Sequence, residues 1–203
     1  DGVMDASDTY WSDGEGWEPV GDDDLPFTGT FDGNGHQIRN LYIDRPTTDY
    51  VGLFGYVHGE TASLSNLGLT GKLMSVTANG YIGGLAGYVS DASITQSYST
   101  GATTGDYRIG GLVGQVYYAS LSNSFATGSV IGRQYAGGLV GYVFGGSLSN
   151  NFATGSVTAD VYTGGLLGYI RFPPLLLSSH WAIDTTGQAF GSGGSSANNY
   201  FGA

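Results

Sequence analysis

The chain repeats itself every 27 residues, and nothing else in it constrains the fold so tightly. From Gly110 it reads Gly-Gly-Leu-Val-Gly-Gln-Val-Tyr-Tyr-Ala-Ser-Leu-Ser-Asn-Ser-Phe-Ala-Thr-Gly-Ser-Val130. From Gly137 it reads Gly-Gly-Leu-Val-Gly-Tyr-Val and then Ser147-Leu-Ser-Asn-Asn-Phe-Ala-Thr-Gly-Ser-Val157. The marker glycines Gly52, Gly84, Gly111, Gly138 and Gly165 are separated by 32, 27, 27 and 27 residues. Ile94, Leu121 and Leu148 keep the same step, as do Thr100, Thr127 and Thr154. A fixed period of this length means stacked copies of one supersecondary unit.

Each unit divides into three short apolar or alternating segments, Gly-Gly-Leu-Val-Gly-Tyr-Val, Ser-Leu-Ser-Asn-x-Phe-Ala and Gly-Ser-Val, separated by turns. Connections this short, repeated at constant length, describe a parallel β-solenoid with about three strands per turn, right-handed as parallel crossovers nearly always are. Composition agrees. Glycine contributes 37 residues and tyrosine 15, while lysine and arginine together contribute six, which favours turns and strands over surface helices. The period predicts a single domain divided into an N-terminal cap over 1–24, solenoid coils over 25–186 and a Gly/Ser-rich tail or end cap over 187–203.

The cap segment carries Trp11, Trp17 and the acidic run Asp22-Asp-Asp24, and would cover the open edge that a stacked sheet presents. In the first coil Ile38-Arg-Asn40 aligns with Leu64-Ser-Asn66, and the longer second coil is expected to loop out near Leu73 to Gly80. On the second segment, an inner column Ile38, Leu64, Ile94, Leu121, Leu148 is followed by the amides Asn40, Asn66, Gln96, Asn123, Asn150 and the aromatics Tyr98, Phe125, Phe152, Trp181. Equal parity turns the amides inward as a structural hydrogen-bonding ladder. On the first segment Leu53, Leu85, Leu112, Leu139 and Leu166 face the core.

The residues after these leucines, Phe54, Ala86, Val113, Val140 and Leu167, are apolar although their parity points them out, and two positions on come Tyr56, Tyr88, Gln115, Tyr142 and Tyr169. A regular strand would expose a flat apolar and tyrosine strip, which marks a contact surface. The alternatives are that the flanking glycines bulge the strand, or that the tail covers the strip. The candidate binding residues are therefore Tyr56, Tyr88, Val140, Tyr142, Leu167 and Tyr169. The partners such a strip suits are a cell-surface glycan or protein, or further copies of the chain joined by stacking of solenoid ends.

These segments resemble the GLUG repeat of large secreted or surface-attached bacterial proteins, including filamentous-haemagglutinin-like adhesins and the accessory region of immunoglobulin A proteases. Phe27-Thr-Gly-Thr-Phe-Asp-Gly-Asn-Gly-His36 is similar to the lead-in of such repeats and Trp181-Ala-Ile-Asp-Thr-Thr-Gly187 to their closing segment. Gln115 and Arg171-Phe-Pro-Pro174 depart from the pattern. The resemblance implies an exported, non-catalytic module, extracellular or at the cell surface, that adheres, displays or assembles into fibres.

Charge and motif content narrow the other classes. A net charge of −11 argues against nucleic acid and anionic lipid, and no apolar run approaches a membrane span. There is no cysteine for a disulfide or thiolate site, and Asp1 is not expected to be a translation start. Polysaccharide-active β-helices need paired carboxylates or a carboxylate-bound cation, but Asp91, Asp106, Arg108, Arg133 and Asp160 read as single charges at turns. His36, His58 and His180 lack metal-ligand spacing. No cofactor is expected. Calcium has carboxylates available at Asp22 to Asp24 or Asp32, but an acidic run is more often simply solvated. Ice or crystalline-surface binding would rest on the threonine column Thr100, Thr127, Thr154 alone. A carbohydrate-binding β-helix remains the other alternative.

Overall fold

The computed structural model describes residues 11–182. They form a parallel β-solenoid of five turns, 30–58, 63–90, 93–117, 120–144 and 147–172, with a sixth begun at 175–181. The strands of each turn pair in parallel with their counterparts one turn on, and four sheets run the length of the body.

A regular turn holds five strand segments rather than three, as in Ser120–Ser122, Phe125–Ala126, Val130–Ile131, Gln134–Gly137 and Val140–Phe144. Two departures from regular backbone account for the difference. Ser-Leu-Ser-Asn-Ser-Phe-Ala is broken at Asn123, whose φ of 52° turns a corner between two sheets. The segment Gln134–Gly137 carries a left-handed residue of its own, Tyr135 at φ 63°, which breaks the alternation that would have announced a strand.

The core columns are continuous. Leu64, Ile94, Leu121 and Leu148 stack in register, as do Leu85, Leu112, Leu139 and Leu166, and all are at most 1% exposed. The first coil enters differently from expectation: Phe31 sits opposite Leu64, while Ile38 pairs with Leu69 in the next sheet. Asn40 is displaced with it.

The amide ladder is also corrected. Because the chain turns a corner at Asn66, Gln96, Asn123 and Asn150 (φ 49–55°), these side chains lie on the outer surface, where Asn150 Nδ2 donates to Asn123 Oδ1 at 3.2 Å. The buried polar ladder is one residue later. Ser97 N donates to Ser124 Oγ (3.2 Å), Ser124 N to Asn151 Oδ1 (3.0 Å) and Asn151 N to Ser179 Oγ (3.3 Å). Ser97, Ser124 and Asn151 are each 1% exposed.

The aromatic column exists, with Tyr98, Phe125 and Phe152 stacked at 4.6 and 4.7 Å between ring centres, but it runs along the outside and Phe152 is 40% exposed. Trp181 does not continue it. His180 pairs with Phe152, and Trp181 takes the inner position opposite Ala153.

The second coil's extra length is divided. Gly59–Ala62 is longer than the corresponding Asp91 and Ala92, and the remainder loops out at Gly71–Met74, which overlaps only the first two residues of the expected place. Ser75–Ile82 is an uninterrupted strand.

At the N-terminal end, Val20 N donates to Leu53 O, and Phe27 N and His58 N bond across to Tyr56 O and Phe27 O, so the outer edge of strand Phe54–His58 has partners. Trp17 Nε1 donates to Leu53 O at 3.0 Å, and Arg45 pairs with Glu15 at 2.6 Å. The tail over 187–203 lies outside the described residues.

Candidate functional site

The Gly-Gly-Leu segment arcs into the body instead of lying flat. The amides of Leu112 and Val113 both donate to Leu139 O (3.0 and 3.1 Å), and those of Leu139 and Val140 both donate to Leu166 O (2.9 and 3.1 Å). Two successive amides on one carbonyl curve the chain as a bulge does, so successive side chains face the same side. Phe54, Ala86, Val113, Val140 and Leu167 are consequently at most 3% exposed. Val140 and Leu167 are core residues and offer nothing to a ligand, which corrects the apolar half of the strip.

The tyrosine half is on the surface and is twice as wide as expected. Tyr56, Tyr88, Gln115, Tyr142 and Tyr169 pair in register along one sheet. Beside them runs a second column, Tyr50, Tyr81, Arg108, Tyr135 and Tyr162, each left-handed with φ between 51° and 63°. The glycine that follows each bulge brings the columns together. A Cβ on Gly141 would lie 2.5 Å from Arg108 C and Ile109 N, so only glycine lets this strand nest against the bend of the preceding turn.

The columns interlock. Ring centres lie 4.6 Å apart for Tyr50–Tyr81, 4.7 Å for Tyr56–Tyr88, 5.2 Å for Tyr135–Tyr162 and 5.3 Å for Tyr142–Tyr169. Across the columns Tyr81–Tyr88 is 5.7 Å and Tyr135–Tyr142 is 5.5 Å. At the middle tier the Arg108 guanidinium takes the place of a ring, 4.5 Å from the centre of Tyr81 and 4.8 Å from that of Tyr142. Such stacking is favourable through the ring quadrupole. Gln115 is only 6% exposed and its Oε1 has no hydrogen-bond partner among the described residues.

Mutual burial shifts the phenols. Desolvation first, and then the neighbouring Tyr81 and the charges of Asp23 and Asp49, push Tyr50 up to about 12. Desolvation raises Tyr88 further still and also raises Tyr56 and Tyr142, with Arg108 opposing the rise at Tyr142. These phenols stay neutral at physiological pH and act as hydroxyl donors and acceptors on apolar rings.

Of the expected site residues, Tyr56, Tyr88, Tyr142 and Tyr169 come together and Val140 and Leu167 do not. The missed members are Tyr50, Tyr81, Arg108, Tyr135 and Tyr162. Their signal was available, because positions 81, 108, 135 and 162 follow the 27-residue step.

Other candidates resolve as follows. Asp106, Arg133 and Asp160 do form a column, each preceding a paired residue of the same sheet, with Arg133 Nη1 3.6 Å from Asp106 Oδ2. Asp22 Oδ1 accepts from the amides of Asp24 and Leu25, a local turn. Asp32 accepts from Asn66 Nδ2 and Asn34 N, which lowers its pKa. Among the described residues no three His, Asp or Glu side chains are grouped to hold a metal ion. Of the threonine column, Thr127 is exposed but Thr100 is half-buried, with its Oγ1 donating to Leu69 O at 3.3 Å.

The architecture thus defines a class, a tandem-repeat parallel β-solenoid with one tyrosine-lined outer face. Residues 78–104, 105–131 and 132–158 match the GLUG motif in succession, so this stretch is a GLUG-repeat region. The chain is 44% identical over 112 residues to halomucin of Haloquadratum walsbyi, a match covering 52% of this chain and 1% of that protein. It is 41% identical over 88 residues to a putative Gly-rich membrane protein of Evansella cellulosilytica, covering 42% of this chain and 10% of that protein. The chain therefore spans only a small part of each relative. No solved structure matches it. No helix among the described residues is long and apolar enough to cross a membrane.

Proposed function

We propose that this solenoid is a non-catalytic module of a surface or extracellular repeat protein and that it adheres through the two-column tyrosine array. The observation that carries this reading is the array itself: eight tyrosines in two interlocked columns along one outer face. Tyrosine presents large area, a polar tip and few torsions to freeze, which suits a glycan or a protein surface. The relatives' names, a halomucin and a membrane protein, support placement outside the cell or at its surface. The non-catalytic part is supported by the sparse acid–base chemistry: His58 Nδ1 stands 4.0 Å from Asp91 Oδ2 on an exposed corner, and that carboxylate oxygen already accepts from Ser90 Oγ at 2.7 Å, so the serine is bonded to the acid and not to the imidazole.

The test is adhesion of purified protein to immobilised cell-wall glycans and surface protein extracts. Changing Tyr142 and Tyr169 together to Ser should abolish adhesion while the far-UV spectrum stays that of a β-protein. The matched change of Phe125 and Phe152 to Ser, on the other outer aromatic column, should leave adhesion intact. Equal adhesion by the tyrosine double variant and the parent would overturn the reading.

A further inference from the structure

The surface beside the tyrosine array is hollowed. Asp49, Gly80, Tyr107 and Gln134 pair in register as one column, each immediately before its partner in the column Tyr50, Tyr81, Arg108 and Tyr135. Three of the four carry a side chain and one is glycine, so the column drops away at a single tier. The hollow is a groove of about 350 Å³, at the small end of the range that ligand clefts occupy. It passes four successive turns, about 14 Å along the solenoid axis at 4.8 Å per turn.

The backbone does not demand the glycine. Its φ lies outside the left-handed region, and the nearest neighbour of a Cβ there would be Asp49 Oδ1 at 3.0 Å, the tip of an exposed side chain. What Gly80 permits is the placement of that carboxylate across the column, where Asn79 Nδ2 donates to it at 2.8 Å. Two of the lining rings are held in place, Tyr81 by Tyr50 at 4.6 Å and Tyr135 by Tyr162 at 5.2 Å. Between them the Arg108 guanidinium is gripped by Tyr81 and Tyr142. Tyr107, 41% exposed, and the half-buried Gln134 complete the lining.

We infer that this groove binds a short stretch of a neutral, polyhydroxylated glycan. Asp49 faces it with a carboxylate fixed by Asn79 and repels an acidic ligand, as does a chain of net charge −11. Arg108 lines the same groove and repels a cationic one. A wholly apolar ligand would strip water from the carboxylate and the Gln134 amide and return no bond. A sugar ring meets every group that lines the groove. Its hydroxyls donate to Asp49 and Gln134 Oε1 and accept from Gln134 Nε2, while its C–H faces lie on the phenol rings. A serine or asparagine side chain of a protein offers one such group at a time; linked sugar rings repeat them along an axis, as the groove does.

This inference rests on adhesion at the array, whose ligand class it names, and is tested apart from it. Cellotetraose, maltotetraose and mannotetraose are titrated by calorimetry beside tetragalacturonate, tetralysine and a Ser/Asn tetrapeptide, with side-chain amides followed by nuclear magnetic resonance. At least one neutral sugar should bind and shift the Asn79 and Gln134 amides, leaving those of Asn123 and Asn150 on another outer surface unmoved. The charged probes and the tetrapeptide should bind roughly tenfold or more weakly. Tyr107→Ala, at an exposed position, should keep the parent's melting temperature and lower affinity by roughly three- to tenfold, the share of an aromatic face. Gly80→Gln, which copies Gln134 into the empty position, should close the groove and abolish binding.

Binding of no neutral sugar, equal or tighter binding of a charged probe or the tetrapeptide, or unchanged affinity in Tyr107→Ala would overturn the inference. If Tyr107→Ala adheres like the parent while the Tyr142/Tyr169 change abolishes adhesion, the groove is wrong and the adhesive face stands. If the Tyr142/Tyr169 variant adheres normally, it is the adhesive face that fails.

Discussion

The turn over 93–117 is the one to perturb, because two hydroxyls inside it have no partner among the described residues. Thr103 is 0% exposed and pairs with Val76 on one side and Val130 on the other, in an inner column that continues to Val157. Its Oγ1 has no hydrogen bond, and neither has Ser99 Oγ, which stands in a column with Leu69, Ala126 and Ala153. Thr103→Val keeps the shape and removes the orphan. Leaving a hydroxyl buried and unpaired costs about 1–3 kcal/mol, and the added methyl is worth about 0.8 kcal/mol on burial. After allowing for imperfect fit, the variant should be more stable by about 1–2 kcal/mol. For a chain of this size that raises the melting temperature by about 2–8 °C.

The assay is urea unfolding followed by circular dichroism and tryptophan fluorescence together, since a repeat body can unfold in parts and coincident transitions are needed for a single free energy. The reverse change one turn on, Val130→Thr, should lose a comparable amount. If Thr103→Val is neutral or destabilising and Val130→Thr is harmless, the hydroxyl is satisfied in solution, by a sequestered water for example. The reasoning from unpaired atoms would then be refuted.

Leu139→Ala should destabilise by about 2–5 kcal/mol, because Leu139 is fully buried within a stacked column; a loss below half of the lower figure in the same urea assay would contradict the core assignment. Gly141→Ala places a methyl 2.5 Å from backbone atoms of Arg108 and Ile109 and should cost about 3 kcal/mol or more, with the tyrosine near-ultraviolet signal changed as the columns separate. Burial holds Tyr50 protonated up to about 12, against 10.0 for a free phenol, so its contribution to stability is fully present below pH 10 and disappears as pH rises through 12; ultraviolet titration should find a phenol ionising near 12 together with falling stability. A phenol titration complete by pH 10.5 would show the array open to water.

What was legible in the sequence was whatever the 27-residue step alone could carry. The solenoid, its parallel stacking and the columns at Leu85, Leu112, Leu139 and Leu166 follow from period and apolar identity, with no knowledge of backbone angles. What failed was parity. Counting in twos holds only while the chain is extended, and it broke at the left-handed Asn123 and Asn150, which moved the buried polar ladder one residue on, to Ser124 and Asn151. It broke again where Leu112 and Val113 share one acceptor, as Leu139 and Val140 do, which put Val113 and Val140 inside; Leu167, at the equivalent position, is buried with them. Half of the array was missed for the same reason. Tyr135 and Tyr162 keep the step, but their left-handed bends disguise the strand that carries them.

The buried ladder also gives the solenoid a direction. Leu67 N donates to Ser97 Oγ, Ser97 N to Ser124 Oγ, Ser124 N to Asn151 Oδ1 and Asn151 N to Ser179 Oγ, so each turn depends on its successor to satisfy an interior amide. A chain emerging from its N-terminus therefore always has one turn waiting for the next. Growth proceeds like addition to the end of a one-dimensional crystal, in which the newest layer is the least secure until it is covered. Removing one whole period should leave the relay intact, because a serine or asparagine still arrives in place. Removing a fraction of one would strand an amide in the interior and halt the growing face at that turn.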